Sequence, residues 1–153
     1  MKHKIIAGVL ALILICYCFP KIIDFWETSY FENRYVFCLD VMCTIEETYL
    51  VSPLPDFLVL TLMNYSNKTY TYKAICYIQK NTDKYWRILP QTAGFAYPDV
   101  LYYLKPYSCN EFYLYIVQYH EYLDSGEYRI ILLLQEDDKN KKDEMVICEF
   151  NVK

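Results

Sequence analysis

Three residue types in this chain could do chemistry, and their supply is uneven: two histidines, seven cysteines and 18 tyrosines in 153 residues. His3 stands in an apolar N-terminal stretch, and His120 sits in Gln118-Tyr119-His120-Glu121-Tyr122, which reads as an exposed loop. Acid–base catalysis and zinc binding both need several such groups within reach of one another. A single histidine with no Cys-x-x-Cys pair meets neither need. Cys38, Cys43, Cys76, Cys109 and Cys148 follow the apolar stretch. Their odd number leaves at least one thiol free; Cys76 with Cys148 is the bridge that alternation favours in an oxidising exterior, while free cysteine is also a small buried hydrophobe. Tyr103 with Tyr107 and Tyr115 with Tyr119 repeat at Tyr-x-x-x-Tyr, and tyrosine is one of the side chains that can ligate a haem iron. Among 18 tyrosines about two such spacings arise by chance, so these residues, with Tyr113, read as cover for a sheet face. Catalytic, cofactor and metal sites are all expected to be absent, and the chain is read as non-enzymatic.

Composition narrows the partners. Formal net charge is −4, and the 15 basic residues are scattered. Nucleic acid, which is bound through clustered Lys and Arg, is excluded as a partner. Three glycines in the whole chain leave no material for a phosphate-cradling loop. Aromatic residues make up 18% of the chain, a bias that suits pleated, half-buried surfaces. Asn64-Tyr65-Ser66 and Asn67-Lys68-Thr69 match glycosylation sequons but read as turn residues, because Asn and Ser bond their own backbone.

Lys2, His3 and Lys4 precede an apolar run over 5–19 that Pro20 and Lys21 close. A basic flank followed by about 15 apolar residues has the layout of a secretory signal. Ile22, Ile23, Phe25 and Trp26 lengthen the apolar region towards a membrane interface. Residues 1–26 are therefore expected to form an apolar signal-anchor helix that meets the membrane through 5–26. Positive residues before the run place the N-terminus inside and the rest of the chain outside the cytoplasmic membrane. Tyr17, Cys18, Phe19 and Pro20 offer no small-x-small cleavage site. Lipidation at Cys16 or Cys18 is the alternative tether, with bulky Ile15 and Tyr17 before those cysteines counting against it. Residues 27–34 are a short linker, and 35–153 the outer domain.

In the outer domain short alternating stretches are separated by turn residues, a spacing that predicts a sandwich. One or two strands are expected over 36–49, and Pro53 and Pro55 then stop pairing. The run Phe-Leu-Val-Leu-Thr-Leu-Met at 57–63 is dense enough to predict a strand buried on both faces. Further strands are expected over 70–80, with Tyr72, Ala74, Cys76 and Ile78 on one face, and over 85–89, 100–104, 111–118, 128–135 and 145–152. A loop is expected over 91–98 and a charged hairpin loop over 136–144. Gly126 can supply a positive φ ahead of a strand, and Tyr128 can turn back to hydrogen-bond upstream backbone as a tyrosine corner.

Several motifs carry a family resemblance: Leu60-Thr61-Leu62-Met63-Asn64-Tyr65-Ser66-Asn67-Lys68 before Tyr70-Thr71-Tyr72, Trp86-Arg87-Ile88-Leu89-Pro90, Leu104-Lys105-Pro106, and Leu123-Asp124-Ser125-Gly126-Glu127-Tyr128-Arg129-Ile130. From about Val41 onward the chain resembles the bacterial Ig-like domains of short membrane-tethered or lipoprotein chains of Gram-positive bacteria. Lys73 and Cys76 depart from that family's usual glycine and aromatic. The resemblance implies an all-β, immunoglobulin-like β-sandwich, an extracytoplasmic location and no catalytic residues. The expected function is a non-enzymatic binding or accessory module that meets a protein or glycan of the cell envelope. The alternative is a carrier of haem or a hydrophobic metabolite on the tyrosine-rich surface.

Overall fold

The computed structural model describes residues 35–83, 85–90, 99–137 and 143–153. The expected anchor (1–26), the linker (27–34), the loop at 91–98 and the centre of the charged hairpin (138–142) lie outside them, as does the side chain of His120. Among the described residues no helix is long and apolar enough to cross a membrane. They form ten strands: β1 (Val36–Phe37), β2 (Val41–Ile45), β3 (Tyr49–Leu50), β4 (Phe57–Asn64), β5 (Tyr70–Asn81), β6 (Trp86–Ile88), β7 (Leu101–Leu104), β8 (Cys109–Tyr115), β9 (Gly126–Glu136) and β10 (Glu144–Val152). One 3-10 helix, Val117–Tyr122, links β8 to β9.

The strands form two sheets. The smaller is β2-β4-β8, antiparallel throughout. The larger is centred on antiparallel β10-β9-β5. On its outer edges β1 and β3 pair in parallel with the two ends of β10, and β6 and β7 pair with the two ends of β5. Side-chain alternation turns Leu58, Leu60 and Leu62 of β4, Phe112 and Leu114 of β8 and Cys43 of β2 into one core with Tyr70, Cys76 and Ile78 of β5, Tyr128, Ile130 and Leu132 of β9 and Cys148 and Phe150 of β10. The result is the all-β sandwich that the strand spacing predicts.

Alternation also corrects two expectations. β4 is buried on one face only, with Val59, Thr61 and Met63 half-buried, because its odd-numbered residues face out of a three-stranded sheet. The strand buried on both faces is β9. Ile131 on its outer side is fully covered and packs with Met145, Tyr77, Ile88 and Ile147 in a second cluster. The strand expected over 111–118 instead ends at Tyr115. The amides of Ile116 and Val117 both donate to the Asp56 carbonyl, which takes the chain off its ladder, and Tyr119 N–H then donates to Ile116 O to start the 3-10 turn.

β5 carries a bulge. Tyr72 pairs with Leu134 and Cys76 with Leu132, so four steps along β5 match two along β9. Two extra residues preserve the facing of the strand, and Tyr72, Cys76 and Ile78 all reach the core with Ala74 packed beside them. That is the face shared by these four residues in the sequence reading.

Leu60 is fully buried at the centre of the smaller sheet. Leu60→Ala is expected to cost about 2–5 kcal/mol of unfolding free energy, measured by urea denaturation, whereas Thr61→Ala on the outer face should stay within about 1 kcal/mol.

Candidate functional site

The motif residues hold the fold together where they meet. Tyr128 is fully buried, stacks on Phe150 with ring centroids 5.3 Å apart, and shares its one hydroxyl hydrogen between the Asp124 carbonyl at 2.7 Å and Asp124 Oδ1 at 2.8 Å. This is the tyrosine corner predicted from sequence, and it anchors the crossing from one sheet to the other. Gly126 has φ +157°, and a Cβ there would lie 3.1 Å from Lys80 Cε. Lys80 forms an ion pair with Asp124. The hydrogen bond from Lys80, and then that from the Tyr128 hydroxyl, hold the Asp124 carboxyl below the usual carboxylate range. Burial, followed by the Asp124 contact, pushes the Tyr128 phenol up.

Two further meetings were not legible in the sequence. Asn64 Nδ2 donates to Lys68 O at 2.8 Å and to Lys105 O at 3.0 Å, while its Oδ1 accepts from Ser66 N and Ser66 Oγ. One buried amide therefore closes the Asn64–Lys68 turn and ties it to the Leu104-Lys105-Pro106 turn. The Arg129 guanidinium lies 4.6 Å from the centre of the Trp86 ring, and its Nε donates to Gln79 Oε1 at 2.6 Å. Tyr128 and Arg129 are both buried, so both side chains of that motif are spent on internal contacts.

The residues singled out for chemistry do not converge. Among the described residues no group of three or more His, Cys, Asp or Glu is placed to hold a metal ion. His120 has its backbone in the 3-10 helix rather than in a loop. Tyr115 is 52% exposed whereas Tyr119 is fully buried, so the two phenols do not face one ligand. Tyr103 and Tyr107 are both exposed, on β7 and on the turn after it. Cys38, Cys43, Cys76 and Cys148 are buried and Cys109 is exposed, all as free thiols. Cys148 Sγ lies 3.2 Å from Cys43 Sγ, and Cys76, the partner that alternation favours, sits in the same core near enough to raise the Cys148 thiol as well.

The smaller sheet presents a different feature on its outer face. Phe57 of β4 pairs with Tyr115 of β8, and Val59 with Tyr113. The Phe57 ring meets Tyr113 edge-on at 5.1 Å and Tyr115 at 6.4 Å. All three rings are exposed. Beside them Glu46, Glu47, Pro55, Phe57 and Val59 border a pocket of about 280 Å³. The arrangement joins a rigid aromatic ledge to two carboxylates at its rim. Phe57 was missed by the sequence reading. Its signal was the contrast between Leu58, Leu60 and Leu62 and the mixed set Phe57, Val59, Thr61 and Met63, which marks the even positions as inward.

Other concavities also lie among the described residues. A pocket of about 220 Å³ lies against the β5 bulge between Ile75, Tyr77, Leu101 and Leu133; like the pocket beside Phe57, it is below the roughly 300 Å³ at which small-ligand sites begin. A groove of about 1020 Å³ runs between β2 and the edge of β10, with Cys43 and Cys148 in its lining.

Two sheets packed face to face, with a tyrosine corner at the crossing, define an immunoglobulin-like sandwich. The profile of the bacterial Ig-like domain family matches residues 41–144, and the chain belongs to that family. Comparison with curated proteins finds no match.

Tyr128→Phe removes a buried hydroxyl from its carbonyl partner and is expected to cost about 1–2 kcal/mol in urea unfolding. Because the Asp124 carboxyl is depressed in the folded state, its contribution is present above the unfolded value of about 3.9 and is lost as pH falls through the folded value. The stability gap between wild type and Asp124→Asn is therefore expected to shrink as pH is lowered from 5 to 2 in paired urea titrations. Its size at pH 7 should be small, since the carboxyl is largely exposed.

Proposed function

We propose that this chain is a non-enzymatic binding or accessory module of the bacterial cell envelope, tethered through residues 5–26 with its N-terminus inside and its sandwich outside the cytoplasmic membrane. Membership of the Ig-like family supports the binding or accessory role. The tether rests on the order of the sequence, in which Lys2, His3 and Lys4 come first, then the apolar run, then Pro20 and Lys21.

The observation that carries the binding role is the exposed trio Phe57, Tyr113 and Tyr115. Aromatic side chains lose few rotamers on binding and contribute large contact area, which is why they dominate recognition surfaces. On this sheet they are fixed by strand register rather than by a loop, so a protein or glycan of the envelope meets a preformed surface. Glu46 and Glu47 at the rim favour partners that bring cationic or hydroxyl groups to that end.

The test uses the full-length chain in its own cells. Proximity labelling should mark the same neighbour in replicate wild-type samples. The variant carrying Phe57→Ser, Tyr113→Ser and Tyr115→Ser should lose about tenfold or more of that signal while keeping its thermal midpoint. Unchanged labelling by a folded variant would refute the aromatic face as the contact surface. Protease added to intact protoplasts should digest the sandwich, and full protection would refute the outward topology.

A further inference from the structure

Cys43 and Cys148 come from different sheets and are 105 residues apart in sequence, yet their sulfurs lie 3.2 Å apart. A disulfide needs about 2.05 Å, so closing the bond asks for a movement of roughly 1.2 Å. The strands that carry them are held on their far sides, β2 by β4 and β10 by β9. The pair also lines the groove between β2 and β10, where Cys43 retains 8% and Cys148 7% of its exposure. Cys76, the third thiol of this core, is fully buried and absent from the groove lining. Reach and proximity thus single out one pair among five described cysteines.

We infer that Cys43 and Cys148 are a covalent modification site, a dithiol that takes a disulfide-class oxidant and closes a bond between the two sheets. One cysteine loses its proton to solvent, and its thiolate attacks a sulfur of the oxidant R–S–S–R, expelling one RS⁻ and leaving a mixed disulfide. The second cysteine, deprotonated in turn, attacks the sulfur of the first and expels the other RS⁻. The two leaving thiolates take up two protons, so the balance is two cysteine thiols and one disulfide giving one Cys43–Cys148 disulfide and two RSH. Two electrons pass from the cysteine sulfurs to the oxidant.

The contact with Cys43 and burial both push the Cys148 thiol up, which disfavours the thiolate that exchange requires. The bond encloses most of the sandwich, and long enclosed loops gain the most from a cross-link. The inference goes beyond the binding role and stands without it, because it concerns the core and the groove rather than the aromatic face.

The experiment refolds the reduced full-length chain from denaturant, in detergent, into a mixture of reduced and oxidised glutathione. A parallel sample is incubated folded. Remaining thiols are alkylated, and peptides are mapped by mass spectrometry without reduction. The peptide holding Cys43 should be found joined to that holding Cys148, with Cys76 alkylated only after denaturation. The thermal midpoint of the oxidised form should exceed that of the reduced form by about 10 °C. Cys76→Ser should keep the link and Cys148→Ser should abolish it. Alkylation of both Cys43 and Cys148 in both samples, or a link from Cys148 to Cys76, would overturn the inference, and wild-type mapping decides this whatever the folding of the variants.

Discussion

The three-stranded sheet and the larger sheet have separate hydrogen-bond ladders, so interlocked side chains and the chain crossings are what keep them face to face. Each strand must therefore deliver its apolar set to the same side as its neighbours, since a slip of one residue would turn that set to solvent. The Tyr128 corner acts at the point of greatest leverage. It fixes where β9 begins after the 3-10 crossing from β8, and β9 sets the register of both β5 and β10. Gly126 and Lys80 pack tightly beneath that corner, which leaves the start of β9 little room to slide.

How much of this was legible follows from the range of each signal. The strand positions, the turn at Asn64–Lys68 and the Tyr128 corner depend on near neighbours, and sequence pattern predicts them. The two-sided burial assigned to 57–63 failed because hydrophobic density does not say how many layers lie outside a strand. β4 is the denser in apolar residues, yet it is β9 whose outer side is covered, by the packing of Ile131 with Met145. The strand over 111–118 overran because Ile116 fits the alternation, whereas the Asp56 carbonyl that diverts the chain comes from 60 residues earlier. The bond between Asn64 and Lys105 and the stacking of Arg129 on Trp86 were invisible for the same reason: each joins motifs that are separate in sequence. The aromatic ledge needed both register and facing, neither of which a count of tyrosines supplies.

Residues that hold the fold and rings that face outward are divided cleanly here. The motif residues Asn64, Trp86, Tyr128 and Arg129 are consumed by internal contacts. The exposed rings Phe57, Tyr113 and Tyr115 lie outside those contacts, on a face whose backbone is already fixed. A sandwich organised in this way can exchange its outer rings without disturbing the residues that define its class.

The β5 bulge has a consequence for how chain length can vary. Because the two extra residues between Tyr72 and Cys76 restore the facing of the strand, this position works as an arithmetic filter. Removing or adding a pair of residues leaves Cys76, Ile78 and all that follows pointing inward, whereas a single insertion would expose the core half of the strand. In regular pairing a change of two residues is therefore the one that keeps the inward set inward, and the bulge holds its two extra residues without redrawing the core.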